Sequence, residues 1–289
     1  MATITATTAP ITTRATARSP SRPSGLTALL TLARRRLALN TRTPRELIIP
    51  LMTPVLFAVV IAPALADTVG GSSGGIDYMT FVAVSTIGLL IPLSCMTAGL
   101  GVVVDRLSGA RRDLVTAPIP RRLIVLGNLL PALMLSGLQL AALLGAATLR
   151  GAEFDIRGTG VLWFAAAVTL FAVGMYGIAE TLANRIPTQE EYIGALPPIA
   201  IVPWFFAGSL FPISALPAGL TAFAKVLPLT HALALIRYGL VDSGGSSLYD
   251  IWGMDNTTTM AALSLTVVAV FALAFTAISI RVFTRTATQ

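Results

Sequence analysis

Apolar residues along this chain gather in long unbroken blocks, and the short pieces between them hold nearly all the charge. A helix needs roughly 20 apolar residues to cross about 30 Å of hydrocarbon. Six blocks meet that length: Leu47–Ala66, Met79–Val104, Leu123–Leu149, Val161–Asn184, Tyr192–Phe211 and Met260–Ile280. Each is predicted to be a membrane-spanning helix. A charge at the bilayer centre costs at least about 2.5 kcal/mol, and Glu180 is the one charged residue inside the six blocks. Prolines at 50, 54, 92, 131, 197, 198 and 203 fall within them. They predict kinks, because neighbouring helices can satisfy the carbonyls a proline frees. The Pro197–Pro198 pair is expected to bend the fifth block most.

Ahead of the blocks the pattern changes. Leu26, Leu29, Leu30, Ala33 and Leu37 recur at helical spacing between Gly25 and Asn40, on one face flanked by Arg34, Arg35 and Arg36. This predicts an amphipathic helix lying in the membrane surface, with its apolar face in the acyl boundary and its arginines on lipid phosphates. Residues 1–24 are rich in Thr, Ala, Ser and Pro, too polar to offset their ordering entropy, and are expected to form a disordered tail. Residues 211–238 are too apolar for an exposed loop, yet Pro212, Pro217 and Pro228 break them. A helix from about Pro217 to Leu227 is too short to cross, which predicts a re-entrant or interfacial hairpin on the outer side. Gly244-Gly245-Ser246-Ser247 then makes a flexible turn. The expected fold is all-α and polytopic: a tail 1–24, an interfacial helix 25–46, a six-span domain 47–285 and a short end 286–289.

Composition agrees with lipid as the main solvent. The 289 residues are 55% hydrophobic and 11% charged, with a mean hydropathy of +0.80, against roughly 25% charged residues in a soluble domain. A net charge of +7 and a pI near 10.5 would suggest nucleic acid in a soluble chain. Here the charge is mostly arginine between the blocks, so no nucleic-acid partner is expected and the basic residues read as topology signals. Placing both termini inside leaves four basic residues outside, Arg150, Arg157, Lys225 and Arg237, and sixteen inside.

Candidate chemistry is sparse. Cys95 is the only cysteine, and it lies inside an apolar block. There is no phosphate-binding loop, Lys225 is the only lysine, and Gly99-Leu100-Gly101 lacks the third glycine of a dinucleotide loop. His231 stands alone as a metal ligand and is expected to cap an interfacial helix; with Asp242 and a serine it lacks a nucleophile elbow. No catalytic or metal residue is expected. An ion-coupled carrier would place ionisable groups at mid-membrane. The candidates for a substrate path are Gln139, for which joining helices is the preferred reading, and Glu180, near enough to Arg185 and the inner end of its block to form an ion pair or to snorkel.

The inner piece 105–122 begins Asp105-Arg106-Leu107-Ser108-Gly109-Ala110-Arg111-Arg112-Asp113-Leu114 and ends with Pro118-Ile119-Pro120-Arg121-Arg122. Its order of acid, Gly, charged helix, Pro and Arg resembles the loop between the second and third spans of the ABC-2 type transporter permeases. A second match is Phe205-Phe206-Ala207-Gly208-Ser209-Leu210-Phe211-Pro212, with Leu216-Pro217, Leu227-Pro228-Leu229-Thr230-His231 and Arg237 after it. That run resembles the family's outer hairpin. The resemblance covers nearly everything from Gly25 onward and is strongest to the drug-export branch typified by daunorubicin resistance permeases. The chain departs from relatives that carry Gly-Thr and an acid where it has Gly109-Ala110-Arg111-Arg112, which implies a more acidic partner surface.

The resemblance implies a permease in a bacterial cytoplasmic membrane that pairs with a second permease chain and contacts membrane lipids. It binds no cofactor itself, since ATP and Mg belong to a separate P-loop ATPase subunit. It places ATPase coupling at Asp105, Arg106, Gly109, Arg111, Arg112, Asp113, Leu114 and Pro118, and an elbow lever in the helix bearing Leu26, Leu29, Leu30 and Arg34–Arg36. An outer gate would comprise Phe206, Gly208, Phe211, Pro212, Pro217, Pro228 and Arg237. The implied substrate is drug-like or lipid-like. The alternatives are a polysaccharide or lipid-carrier exporter, a non-transporting relative, and an ion-coupled carrier using Glu180.

Overall fold

A computed structural model describes residues 25–41, 52–53, 55–69, 72–73, 76–116, 119–155 and 158–286. The expected tail 1–24, the start of the first expected span with Pro50 and Pro54, Pro118 and the last three residues lie outside the described residues.

Helix α1 spans Gly25–Thr41. A π-helical turn, Phe57–Ile61, leads into α2, Ala62–Val69. Strands β1, Ser72–Ser73, and β2, Ile76–Asp77, pair antiparallel with Ser72 opposite Asp77. Asp77 then caps α3, Tyr78–Leu107, by accepting the Thr80 N–H at 3.0 Å. The short α4, Ala110–Thr116, follows a turn at Gly109, and α5 runs Arg121–Leu149. After α6, Gly160–Ala183, come α7, Gln189–Gly194, and α8, Leu196–Phe206. Then follow α9, Ala218–Val226; α10, Pro228–Leu240; α11, Ser246–Trp252; and α12, Thr257–Thr286.

Four helices, α3, α5, α6 and α12, are long and apolar enough to cross a membrane, and α9 with α10, bent by 80° at Leu227, would make a fifth if counted as one broken span. At 1.5 Å per residue α3 is about 45 Å long. It outreaches the hydrocarbon, so its charged end projects past the apolar slab. The bundle therefore has a basic end, where α3, α6 and α12 finish and α5 begins, and a hairpin end, where α9 and α10 meet it.

Glycine sets the closest approaches. A Cβ at Gly177 on α6 would lie 2.7 Å from the backbone carbon of Phe275 on α12, and one at Gly127 on α5 would lie 2.7 Å from the Leu32 Cβ of α1. Small residues let backbones approach where lipid supplies no hydrophobic drive for association.

Three expectations change. The fifth apolar block is two helices meeting at Ala195 instead of one bent span, because Pro197 and Pro198 fall in the first turn of α8. A proline there loses only an N–H that had no helical partner, so it starts a helix more readily than it kinks one. The same logic places Pro217 at the N-cap of α9 and Pro228 at the start of α10. The buried face of α1 carries Ala28, Leu32 and Ala33, with Leu32 against Gly127 of α5, and Arg36, which turns to α3, whereas Leu26 and Leu30 are 68% and 52% exposed. Third, Glu180 is wholly buried while Arg185 is exposed, so that ion pair is not formed.

The α9–α10 pair, bent by 80°, turns back on itself against the bundle. Leu229 and Leu233 on α10 pack at Gly88, ten residues into α3, while Gly239 packs at Gly160, the first residue of α6. The bend between α9 and α10 thus sits roughly 15 Å inside the end of the bundle, and α10 climbs back out. Nearly every side chain of α10 is buried.

Candidate functional site

At the basic end, Asp105 closes α3 and accepts from Arg36 at 2.7 Å and from Arg35 at 3.5 Å. Arg36 is 5% exposed and also donates to the Ala98 carbonyl at 3.3 Å. Its guanidinium lies on the backbone at Gly101, where a Cβ would come within 2.1 Å of Nη2. Arg36 therefore joins α1 to α3 instead of reaching lipid phosphate; Arg34 is exposed and Arg35 half-buried.

Beyond Asp105, Arg106 donates to the carbonyls of Ile186 and Pro187, which ties α3 to the connection after α6. Gly109, at φ +82°, turns the chain into α4 through a conformation that glycine adopts without strain. Arg111 on α4 donates to Asn184 Oδ1 and Thr286 Oγ1, both at 2.8 Å, and lies over the Phe283 ring at 4.8 Å. Burial holds the Arg111 guanidinium below its ordinary pKa, and the charge of Glu180 acts in the opposite direction. Arg121 donates to the Thr284 carbonyl at 3.1 Å.

This network continues inward. Asn184 Nδ2 donates to the Glu180 backbone carbonyl at 2.7 Å and to Oε1 at 3.2 Å, and the Tyr176 hydroxyl donates to Glu180 Oε2 at 2.7 Å. Tyr192 on α7 donates to the Met96 carbonyl at 2.9 Å, filling the gap over Gly99. Arg36 and Asp105 thus hold α1 to α3, and Arg111, Asn184 and Glu180 hold α4 to α6 and, through Thr286, to α12.

Of the expected coupling residues, Asp105, Arg106 and Arg111 face their own chain, Leu114 is half-buried and Arg112 is exposed. The Asp113 side chain and Pro118 lie outside the described residues. Gln139 on α5 and Ser94 on α3 hydrogen-bond across the helix interface. That is the helix-joining alternative for Gln139.

At the hairpin end, Gly208, at φ +78°, turns its carbonyl onto Arg237 of α10. Arg237 also donates to Ser85 Oγ, and its guanidinium lies over the Phe81 ring at 3.9 Å. Phe206 meets Phe223 of α9 edge-on at 5.9 Å, while Phe211 is exposed. Gly208 and Arg237 are therefore in direct contact, and Pro212, Pro217 and Pro228 begin helical turns around them. Trp204 Nε1 donates to the Ser85 carbonyl at 2.9 Å. Phe81, Ser85 and Trp204 were not expected here. The buried indole N–H of Trp204, which needs a partner, was the available signal.

His231 Nε2 meets the Lys225 carbonyl in the last turn of α9 at 2.9 Å, and Nδ1 meets Ser264 Oγ at 3.2 Å. Asp242 instead accepts from Ser246 Oγ and the Ser247 N–H. His231 thus caps α9, and no serine–histidine–acid triad is assembled among the described residues. No cluster of three metal-ligating side chains occurs among them either.

The family model for the ABC-2 type transporter matches residues 27–241. This chain belongs to the ABC-2 type transporter family. A putative transport permease, ycf38, of Porphyra purpurea is 27% identical over 205 residues, covering 68% of each chain. The ABC-2 chain described here is accordingly a multi-pass membrane transport permease. Membership implies, in general, an ABC transporter with an ATPase partner.

Proposed function

We propose that this ABC-2 permease exports a drug-like or lipid-like amphipathic substrate across a bacterial cytoplasmic membrane, as one of a pair of permease chains above separate P-loop ATPases. In this reading the basic end is cytoplasmic and the six apolar blocks are the spans, the first and fifth being irregular. ATP and Mg stay on the ATPases, and the 105–118 segment seats in the cleft of one of them.

The observation that carries the reading is the network at α4. Arg111 of α4 binds the ends of α6 and α12, and Asp105 at the end of α3 binds α1, so a displacement applied to α4 reaches α6 and α12 through side chains already bonded and α1 through the short turn back to α3. A switch of this kind needs two arrangements whose balance the nucleotide biases. The exposed Arg112 and the half-buried, bonded Arg111 divide docking from transmission.

Purification of the tagged chain from native membranes in mild detergent is expected to recover a stoichiometric ATPase with vanadate-sensitive hydrolysis. Arg112→Glu should reduce recovery of that ATPase about tenfold, the effect of removing one charged contact and setting like charges together. Arg111→Gln should retain the ATPase and its hydrolysis but lower the substrate moved per ATP. Full recovery and full transport with both variants would remove α4 from the coupling path.

A further inference from the structure

At the basic end, a cavity of about 330 Å³ lies beside the last turns of α12, with Arg185, Ile278, Arg281, Val282, Arg285 and Thr286 as its walls. Arg185 follows α6 and the other two arginines are on α12, so guanidinium groups from two helices converge on one concavity. All three arginines are exposed, and an incoming ligand can reach them. Among the described residues no carboxylate lines the cavity, and neither the Arg185 nor the Arg281 side chain has a hydrogen bond or ion pair. Arginines at the inner ends of spans set orientation by their number alone. Convergence asks for a further reason. Like charges gathered around one concavity repel, and an anion seated among them turns the repulsion into attraction.

Depth identifies the anion. The uncharged run 260–280 of α12 is about 30 Å long at 1.5 Å per residue, which matches the hydrocarbon thickness. Arg281 follows that run directly, at the level of lipid phosphates, and Arg285 is one turn beyond. Toward the bilayer centre, Ile278, Ala274 and Val270 continue the same row of α12 at spacings of three and four, and all are exposed. A soluble anion or an acidic protein surface would meet the arginines alone. Only an acyl chain follows that row into the hydrocarbon.

We propose that this cavity binds the phosphate of an anionic phospholipid between Arg185 on one side and Arg281 and Arg285 on the other, with an acyl chain along Ile278, Ala274 and Val270. Basic pockets between spans suit such headgroups, and the volume, at the small end of ligand pockets, admits a headgroup while its chains stay outside. The lipid bridges the ends of α6 and α12. Thr286 on the cavity wall also accepts from Arg111 at 2.8 Å, so the bridge lies beside the bond that ties α4 to α12. That the lipid belongs to the inner leaflet rests on the orientation proposed above; the binding chemistry does not.

The test uses the full chain purified in detergent, without its ATPase, so its outcome is independent of the export reading. Thermal unfolding is followed with dioctanoylphosphatidylglycerol, dioctanoylphosphatidylcholine, glycerophosphoglycerol and inorganic phosphate at equal concentration, since a ligand that binds only the folded chain raises the midpoint. The phosphatidylglycerol is expected to raise it more than the phosphatidylcholine, whose choline brings a cation to the arginines, and more than either soluble phosphate. Arg281→Gln and Arg185→Gln should each leave the ligand-free midpoint unchanged or higher while weakening phosphatidylglycerol binding about tenfold. Arg122→Gln removes an exposed arginine at the start of α5, outside the cavity, and should leave that binding unchanged. An equal rise with phosphatidylcholine would overturn the proposal, and an equal rise with either soluble phosphate would assign a free anion and overturn it too. Equal weakening in Arg122→Gln would reduce the site to a general basic surface. Unchanged binding in Arg281→Gln and Arg185→Gln would also contradict it; loss of the co-purifying ATPase from those two variants would then assign the arginines to the protein partner.

Discussion

Asp105 holds two guanidinium groups of α1, and their surroundings set different energies. Arg36 is buried at 2.7 Å, whereas Arg35 keeps about a third of its side chain in solvent at 3.5 Å. Removing the acid leaves a buried charge unpaired, so Asp105→Asn is expected to cost about 3 kcal/mol. Arg35→Ala should cost less than about 1 kcal/mol. Chemical denaturation in detergent distinguishes them, and equal losses would contradict the assignment of the pair to Arg36. Little of this was legible in the sequence. Arg34, Arg35 and Arg36 are indistinguishable in a row, and only the packing of Leu32 over Gly127 decides which one turns inward to an acid 69 residues away. Glu180 is similar: its nearest sequence neighbour of opposite charge, Arg185, is exposed, while its bonds go to Tyr176 and Asn184, one turn away on either side.

Helices were far more legible than contacts. Met79–Val104, Leu123–Leu149 and Val161–Asn184 differ from α3, α5 and α6 by three residues or fewer at each end, because a long apolar block bounded by polar residues marks both where a helix can sit in lipid and where it leaves. The apolar block 192–211 was misread for the same reason. Hydropathy is blind to backbone direction, and only the proline pair at the N-terminus of α8 marks the break. The break between α9 and α10 was legible because Pro217 and Pro228 bracket a run too short to cross. Packing between α6 and α12 depends on Gly177, against the backbone of Phe275. Gly177→Val should force the helices apart and lower stability by about 1 to 3 kcal/mol. The thermal midpoint in detergent reads this directly; no change would mean that α12 shifts freely.

Among the described residues, the larger bonded polar networks lie at the two ends of the bundle, with a few buried polar side chains, Ser94, Ser136 and Gln139, between them. The basic end bonds α1, α3, α4, α6 and α12 together, and the hairpin end gathers Arg237 and Gly208. Mid-bundle polar groups such as Gln139 and Ser94 are engaged with each other across helices. In the proposed reading the bonded basic end receives motion from outside, whereas an ion-coupled carrier would work through Glu180, buried within α6. The most direct test is transport of an amphipathic dye into inverted membrane vesicles that contain the chain with its co-purifying ATPase. The account predicts uptake that requires ATP, stops with vanadate and survives a proton uncoupler. Uptake that continues in vanadate and collapses with the uncoupler and in Glu180→Gln would contradict it and make the chain an ion-coupled carrier.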